Sequence, residues 1–346
     1  MQLLLLTNPG IEDIVVDESV AKLNAKVVEV RNGKGRVIVD IDEDLLEFVS
    51  ELRSIHRARI LLSHVKNVCR EKECLKSVRE LIASLPLYEY INPWTTFAVR
   101  AERVGEHEYT SLEIARVAGD AIIEVVKSKY GRRPPVDLDY PNVIVAIDLI
   151  FDELFISIEL GADLSWHRRG YRVYEHPAAL KPTLAYAMIR ISGMRDGESL
   201  LDPMCGGGTI PIEAAYVFED AKLYCSDFNP RHIKGAMMNA KAALVNRRIK
   251  FIVLDARDVD KRFGEGAIDH IVSNPPYGIR LGDPWRVRRV YKKFFEAARK
   301  IVAKNIVIIT TEHEYVKQIA PQLGYSIVHE RVVAHGNLWP KILVLE

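Results

Sequence analysis

Cysteine is scarce in this sequence. Four residues (Cys69, Cys74, Cys205 and Cys225) in a chain of 346 are too few for a disulfide scaffold, so a small cross-linked secreted fold is excluded and a reducing, cytoplasmic setting is expected. No apolar run approaches the roughly 20 residues that a membrane-spanning helix needs. The leucines at 3–6 lack a basic flank and a small-residue cleavage site, and Glu12 and Asp13 follow, so they read as a first strand and not as a leader. Charge of one sign is also lacking: 48 basic side chains stand against 47 acidic ones, and any nucleic-acid binding must come from local patches. Only three glutamines occur (Gln2, Gln318 and Gln322), which favours a heat-adapted chain. There is no internal repeat and no low-complexity tract. What the chain does have is length and apolar content. At 48% hydrophobic residues it can bury sizeable cores, and 346 residues imply two or three domains.

Residues 1–62 read as a small α/β unit. It has a strand at 3–6, a turn at Asn8-Pro9-Gly10, helix-spaced apolar residues over 11–23, and strands at 27–30 and 36–41 around the hairpin turn Asn32-Gly33-Lys34-Gly35. Asp42 or Asp44 can cap a short helix running to about residue 49. No catalytic cluster shows here, and a positioning role is expected. Residues 63–165 form a second unit: a helix at 71–85 stopped by Pro86, a strand at 96–102, an amphipathic helix at 112–129 capped by Ser111, and a hairpin of strands 143–149 and 154–160. Arg100, Arg103, Lys127, Lys129, Arg132 and Arg133 can build a basic face or an ordinary solvated one. Residues 166–176 form a connector holding Trp166, Arg168, Arg169, Tyr171, Arg172 and Tyr174. That composition suits phosphate contact and base stacking, and equally a linker packed by its own rings. Residues 177–346 alternate strand and helix, which argues for a doubly wound, mostly parallel sheet.

The chemistry-bearing motifs lie in that last part. Asp202-Pro203-Met204-Cys205-Gly206-Gly207-Gly208-Thr209 follows a strand and opens a helix. Consecutive glycines let a ligand approach bare backbone, and the helix start offers oriented N–H donors. Pro211 stands where a dinucleotide fingerprint needs its third glycine, and the Gly-Lys-Ser/Thr of a P-loop is absent. The loop suits a mononucleoside with a carboxylate-bearing tail, such as S-adenosylmethionine. Asp227, 19 residues beyond Gly208, ends the next strand and is placed to accept from ribose hydroxyls, with Phe228 beside it. Asp255-Ala256 ends a third strand; its acid can accept from an adenine amine or simply cap a helix.

The most specific motif is Ser273-Asn274-Pro275-Pro276-Tyr277-Gly278, after the fourth strand. Two prolines stiffen the loop and remove two N–H donors, leaving it rich in acceptors. The Asn274 side-chain oxygen and the Pro275 carbonyl can both accept from one planar amine, and Tyr277 offers a face to the ring that carries it. The stretch from Gly278 to Lys304 then holds nine Lys/Arg against Asp283 and Glu296, a candidate phosphate grip beginning at this loop.

The ordered set of Asp202 to Thr209, Asp227, Asp255 and Asn274-Pro275-Pro276-Tyr277 resembles class I S-adenosylmethionine-dependent N-methyltransferases. The upstream half resembles the THUMP RNA-binding module, through residues 97–102 and 109–126 and the exit Leu164 to Arg172. Together they resemble the archaeal and bacterial THUMP-containing tRNA guanine-N2 methyltransferases that act at position 6 of the acceptor stem. The resemblance implies a Rossmann-like methyltransferase domain at 177–346, preceded by a ferredoxin-like domain (1–62) and a THUMP domain (63–165) that grip tRNA. It also implies that residues 176–183 form a wall of the cofactor site, with Thr183 on it. The candidate cofactor contacts are then Thr183, Asp202, Cys205, Gly206, Gly208, Thr209, Asp227, Phe228, Asp255, Ala256 and Asn274. The candidate catalytic residues are Asn274, Pro275 and Tyr277.

Other readings stay open at this point. The same loop can hold a glutamine side chain of a protein substrate, an adenine N6, or a guanine at another tRNA or rRNA site; an RNA-binding scaffold with an inactive domain is a non-enzymatic alternative. No metal ligand set is expected, because Cys69 and Cys74 stand without a second pair. Nothing points to an obligate protein partner, and a monomer is expected.

Overall fold

The computed structural model describes residues 1–161, 169–277 and 284–346. Leu164, Trp166, His167 and Arg168 of the connector, and Gly278, Arg280 and Asp283 beyond the Asn-Pro-Pro-Tyr loop, lie outside the described residues. Among the described residues, two seven-stranded sheets organise the chain.

The first sheet takes β1 (Gln2–Leu6), β2 (Lys26–Arg31), β3 (Arg36–Asp40), β4 (Arg57–Val65), β5 (Phe97–Val104), β6 (Val143–Ile150) and β7 (Glu153–Glu159), in the order β2-β3-β1-β4-β7-β6-β5. Its helices are α1 (Glu12–Leu23), α2 (Cys74–Ser84) and α3 (Ser111–Tyr130). β4 pairs with β1 on one side and β7 on the other, so the expected boundary at 62 falls inside a strand and the two N-terminal units share one sheet. Alternate residues such as Leu3, Leu5, Val37, Val39, Ile147 and Ile156 pack with Val78, Ile82, Ile114 and Ile122 of the helices in one buried cluster.

The cap of α3 differs from the sequence expectation. Thr110, not Ser111, is the N-cap: its backbone is extended (φ −93°, ψ 163°), its hydroxyl accepts from Glu113 N at 3.2 Å, and the Glu113 carboxylate accepts from Thr110 N at 2.9 Å. This reciprocal box needs an acid three residues past the cap. Position 113 supplies one for Thr110, whereas Ser111 would find Ile114. Those bonds, the Thr110 backbone N–H first, hold the Glu113 carboxyl down at about 2. The segment after Asp42 is a 3₁₀ helix, Glu43–Glu51, and Asp42 makes no side-chain capping bond.

The second sheet takes β8 (Ser199–Asp202), β9 (Lys222–Asp227), β10 (Ile249–Val253), β11 (Ile268–Ser273), β12 (Val302–Thr310), β13 (Ile327–Val332) and β14 (Lys341–Leu345). Their order is β10-β9-β8-β11-β12-β14-β13; the first five are parallel and β14 and β13 close the edge antiparallel. The helices used below are α4 (Pro182–Ile191), α5 (Thr209–Val217), α6 (Pro230–Ala242) and α7 (Pro284–Ile301). The β8 and β12 segments carry consecutive buried residues because helices cover both faces of a parallel sheet.

The halves pack directly on one another. Ile11 and Ile14 of the N-terminal unit share a buried cluster with Leu184, Val333 and Ile342. Asn8 Nδ2 donates to Ala334 O at 2.7 Å, and the Arg331 guanidinium meets the Asp13 carboxylate at 2.6 and 2.7 Å. Gly10 (φ +98°) makes the approach possible, since a Cβ there would stand 2.1 Å from Val332 O. Glu213 of α5, fully buried, receives Arg53 Nε and the Tyr171 hydroxyl, each at 2.7 Å. The cysteines also differ from expectation. Cys69 pairs with Cys74, and Cys205 with Cys225, as disulfides with Cα separations of 5.9 and 5.6 Å, inside the range that a bridge needs.

Thr110→Ala should lower the free energy of unfolding by about 1 kcal/mol in denaturant titration, while Ser111→Ala should change it by no more than roughly 0.3 kcal/mol. The reverse order would return the cap to Ser111.

Candidate active site

β10, β9, β8 and β11 are neighbours and parallel, so their carboxyl ends form a row. Along it stand Asp255, Asp227, Asp202 and Asn274, over three strand spacings of roughly 4.8 Å each. The chain reverses direction of travel between β8 and β11, which makes this row a topological switch point, where open α/β sheets bind ligands.

The glycine loop joins β8 to α5. Gly206 (φ +50°) and Gly208 (φ +77°) hold left-handed backbone. A Cβ on Gly206 would sit 3.3 Å from the His176 ring, one on Gly207 3.3 Å from Asn239 Nδ2, and one on Gly208 3.0 Å from Ala236. A side chain at any of the three would crowd these neighbours, and Thr209 starts the helix behind the loop. Cys205, nearly buried and bridged to Cys225, fixes the loop to β9 through its N–H to Ser226 O at 2.9 Å.

The acids are all engaged. Asp227 Oδ2 accepts from Gly206 N at 3.1 Å; its Oδ1 accepts from Asn229 N at 2.9 Å and lies 3.1 Å from His232 Nδ1. A ribose hydroxyl would share the remaining lone pairs. Phe228, 69% exposed, presents its ring beside it. Asp255 caps the 3₁₀ segment Ala256–Lys261 and takes Arg257 Nε at 2.9 Å and Nη2 at 2.6 Å; this hydrogen bonding keeps its carboxyl below the usual range. The capping role weighed for Asp255 is therefore present, and Ala256 beside it is buried. Asp202 is 2% exposed; its Oδ1 accepts from the Ser273 hydroxyl at 2.7 Å and from Met204 N at 3.2 Å. Burial pushes its carboxyl up to about 7 despite those bonds, and the nearby Asp227 adds to the rise.

Asn274 follows β11. Its Nδ2 donates to Ala178 O at 3.1 Å, which turns Oδ1 the other way, and Oδ1 is buried with no partner among the described residues. The Tyr277 hydroxyl is likewise buried without a described partner, and burial raises its phenol, so it stays protonated. Pro275 is buried and Pro276 exposed. A neutral amide with an oriented, unpaired acceptor is suited to gripping an N–H and unsuited to abstracting a proton.

Thr183 is fully buried and its hydroxyl donates to Asn8 Oδ1 at 2.7 Å, so the side chain takes part in the contact between the halves. The described connector residues are turned inward. Tyr171 is 5% exposed, Arg169 donates to Arg53 O at 3.0 Å, and Arg172 donates to Leu180 O and to Thr209 Oγ1. A ring so buried cannot stack on a base. Arg169, Tyr171 and Arg172 thus take the packed-linker alternative, while Trp166, His167 and Arg168 lie outside the described residues.

Sequence reasoning missed the residues that clamp the connector. Asn239 of α6, 2% exposed, donates to Tyr174 O and Gly207 O at 2.9 Å each and accepts from Tyr174 N at 2.7 Å. Gly235 lies under Tyr174, whose ring would meet a Cβ at 2.2 Å. A glycine within a helical pattern was the available signal for such a close approach. A cleft of about 150 Å³ remains between connector and loop, lined by Tyr174, His176, Gly207 and Thr209. Beyond the site, Arg289, Lys292 and Lys293 are exposed on α7, while Arg288 pairs with Glu312 at 3.1 Å and Lys300 with Asp260 at 2.7 Å. Among the described residues the one grouping with metal-ligand spacing is Cys69, Glu71 and Cys74, and its two sulfurs are joined to each other.

This strand order, with its glycine loop and the Asn-Pro-Pro-Tyr turn at the switch point, defines a Rossmann-like class I methyltransferase domain. Residues 169–341 match the family model described as RMKL-like, methyltransferase domain, and residues 73–159 match the THUMP domain. The tRNA (guanine(6)-N2)-methyltransferase of Archaeoglobus fulgidus is 35% identical over 97% of this chain and 90% of its own length. That of Thermus thermophilus is 31% identical over 98% of each. The crystal structure of TrmN from Thermus thermophilus superposes with a TM-score of 0.84 at 29% identity, covering 100% of this chain and 99% of that one. The chain belongs to the THUMP-containing methyltransferase family that includes these tRNA (guanine(6)-N2)-methyltransferases.

Because Asp202 binds its proton more tightly folded than unfolded, its contribution to stability is full below about pH 4 and is lost as pH rises to about 7. Unfolding free energy of the wild type minus that of Asp202→Asn should fall across that window by a few kcal/mol. Parallel pH profiles would contradict the buried, proton-retaining state.

Proposed function

We propose that this chain transfers a methyl group from S-adenosylmethionine to the exocyclic N2 of guanosine 6 in tRNA. The observation that carries the reading is the Asn274 amide: its nitrogen is tied to Ala178, and its oxygen is buried with no partner among the described residues. Buried acceptors without partners are rare and mark a place for a donor. The Gly206–Gly208 loop, with bare backbone at the start of α5, suits a donor with a nucleoside and a charged tail. S-adenosylmethionine supplies, when bound there, a methyl group made electrophilic by its sulfonium.

The residues of this chain do the rest. Thr209 and the bare loop backbone hold the donor's tail, Asp227 its ribose, and Phe228 with the Asp255-Ala256 turn its base. Asn274 Oδ1 and the Pro275 carbonyl accept the two N–H bonds of guanine N2. That arrangement favours a pyramidal nitrogen and points its lone pair along the transfer line, so the acceleration comes from positioning and preorganised dipoles. Asn274 cannot take the surplus proton, which leaves N2 for solvent. A paired guanine must first be flipped out, which costs a few kcal/mol. The Tyr277 ring offsets part of this by stacking, worth roughly 1–3 kcal/mol.

The N-terminal half grips the tRNA, and Arg289, Lys292 and Lys293 add phosphate contacts beside the catalytic loop. The relatives' names and the THUMP match favour tRNA guanine over an adenine or a glutamine side chain. No helix among the described residues is long and apolar enough to cross a membrane. We place the enzyme in the cytoplasm, as a monomer; paired cysteines in such a setting occur mainly in heat-adapted organisms, which agrees with the low glutamine count.

The test is mass mapping of nuclease-digested tRNA after incubation with labelled donor. One methyl-bearing fragment carrying N2-methylguanosine at position 6 is expected. Label on adenosine, or on protein only, would contradict the proposal. Asn274→Ala should lower transfer by about 10²–10³-fold, the scale of removing a preorganised group at the reacting centre, while donor affinity by calorimetry stays within roughly twofold. Unchanged turnover would remove Asn274 from the role.

A further inference from the structure

The catalytic loop cannot pin itself. Pro275 and Pro276 have no N–H, so two of its four residues have no backbone donor to close a turn with. Among the described residues, two anchors come from elsewhere. One is the Asn274 Nδ2 bond to Ala178 O already described. The other is Tyr291, on α7, whose side chain is 1% exposed. Its Oη lies 3.3 Å from Pro276 O and 2.8 Å from Thr310 Oγ1, at the end of β12. Thr310 is fully buried, and its Oγ1 accepts from Glu312 N at 2.9 Å.

Each hydroxyl has one proton to give. If Glu312 N–H donates to Thr310, Thr310 to Tyr291, and Tyr291 to Pro276 O, every contact has a donor and an acceptor. Reversing the middle bond would leave Pro276 O without one. Burial raises the Tyr291 phenol, which keeps its proton and so remains a donor. We propose that Tyr291 is a positioning residue for methyl transfer: its hydroxyl, oriented by Thr310, holds the Pro276–Tyr277 peptide and thereby the placement of the Pro275 carbonyl and the Tyr277 ring. The inference rests on the assignment of this loop to the acceptor amine.

Tyr291→Phe is isosteric and removes the one oxygen. In steady-state assays with tRNA it should lower kcat roughly tenfold, as loss of a single orienting hydrogen bond would, with donor Kd and tRNA KM unchanged within about twofold. Thr310→Val should lower kcat in the same direction, Thr310→Ser should restore it, and the double variant Tyr291→Phe/Thr310→Val should be no slower than Tyr291→Phe alone. Wild-type kcat in Tyr291→Phe, or a loss shared equally by kcat and donor affinity, would overturn the proposal. Hydrogen exchange of the chain without tRNA provides a readout independent of activity. The peptide containing Tyr277 should exchange faster in Tyr291→Phe than in wild type, and equal rates would overturn the anchoring whatever the substrate. Failure of the wild type to methylate tRNA, with that exchange difference intact, would refute the substrate and not the anchor.

Discussion

The Ser273 hydroxyl donates to Asp202 at 2.7 Å, across the boundary between β11 and β8. Ser273 is the residue before Asn274, and Asp202 opens the glycine loop. Added to the pairing of β8 with β11, this buried hydrogen bond ties the glycine loop to the Asn-Pro-Pro-Tyr loop. Both partners are excluded from water, and a buried hydroxyl–carboxyl pair left half-made would be costly. The raised Asp202 carboxyl reflects the same arrangement: burial is tolerated because the group can hold a proton while Ser273 and Met204 donate to it.

A second layer of constraint comes from the connector. It enters against Glu213, crosses α6 at Asn239 and Gly235, covers Gly206 with His176, and ends by fixing the Asn274 amide through Ala178 O. The same chain segment thus touches the N-terminal half, the donor loop and the acceptor loop. The Thr183–Asn8 and Arg331–Asp13 contacts hold the two halves in register from the other side. A protein that must present one nucleotide of a large RNA to a small cofactor needs its gripping and reacting parts at a fixed separation, and these contacts supply that rigidity.

Much of the site was legible in the residues because its signals are local. Consecutive glycines, an acid after a strand and two prolines beside an Asn each restrict backbone or donors in a way readable from a few positions. The parallel sheet was legible for the same reason, through alternation of apolar runs. What escaped was set by partners distant in sequence. Asn239 reads as an ordinary helical residue until Tyr174 and Gly207 arrive beside it, and the Thr183–Asn8 contact between the halves has no mark in the sequence either. The Ser111 expectation failed because either neighbour can cap and only the acid three positions on decides. The edge hairpin β13–β14 went unread, because antiparallel closure of a parallel sheet leaves no local mark. The cysteine pairs depend on Cα separations that spacing along the chain does not reveal.

Transfer at this site depends on where the target amine lies. The most direct measurement is a crystal structure of this chain with S-adenosylhomocysteine and an acceptor-stem RNA carrying the unmodified guanosine. The expected result is a flipped guanine with N2 at roughly 3 Å from both Asn274 Oδ1 and the Pro275 carbonyl, its ring on Tyr277, and the donor's sulfur over Gly206–Gly208. A guanine seated away from Asn274, with Oδ1 still unpaired in the complex, would contradict it.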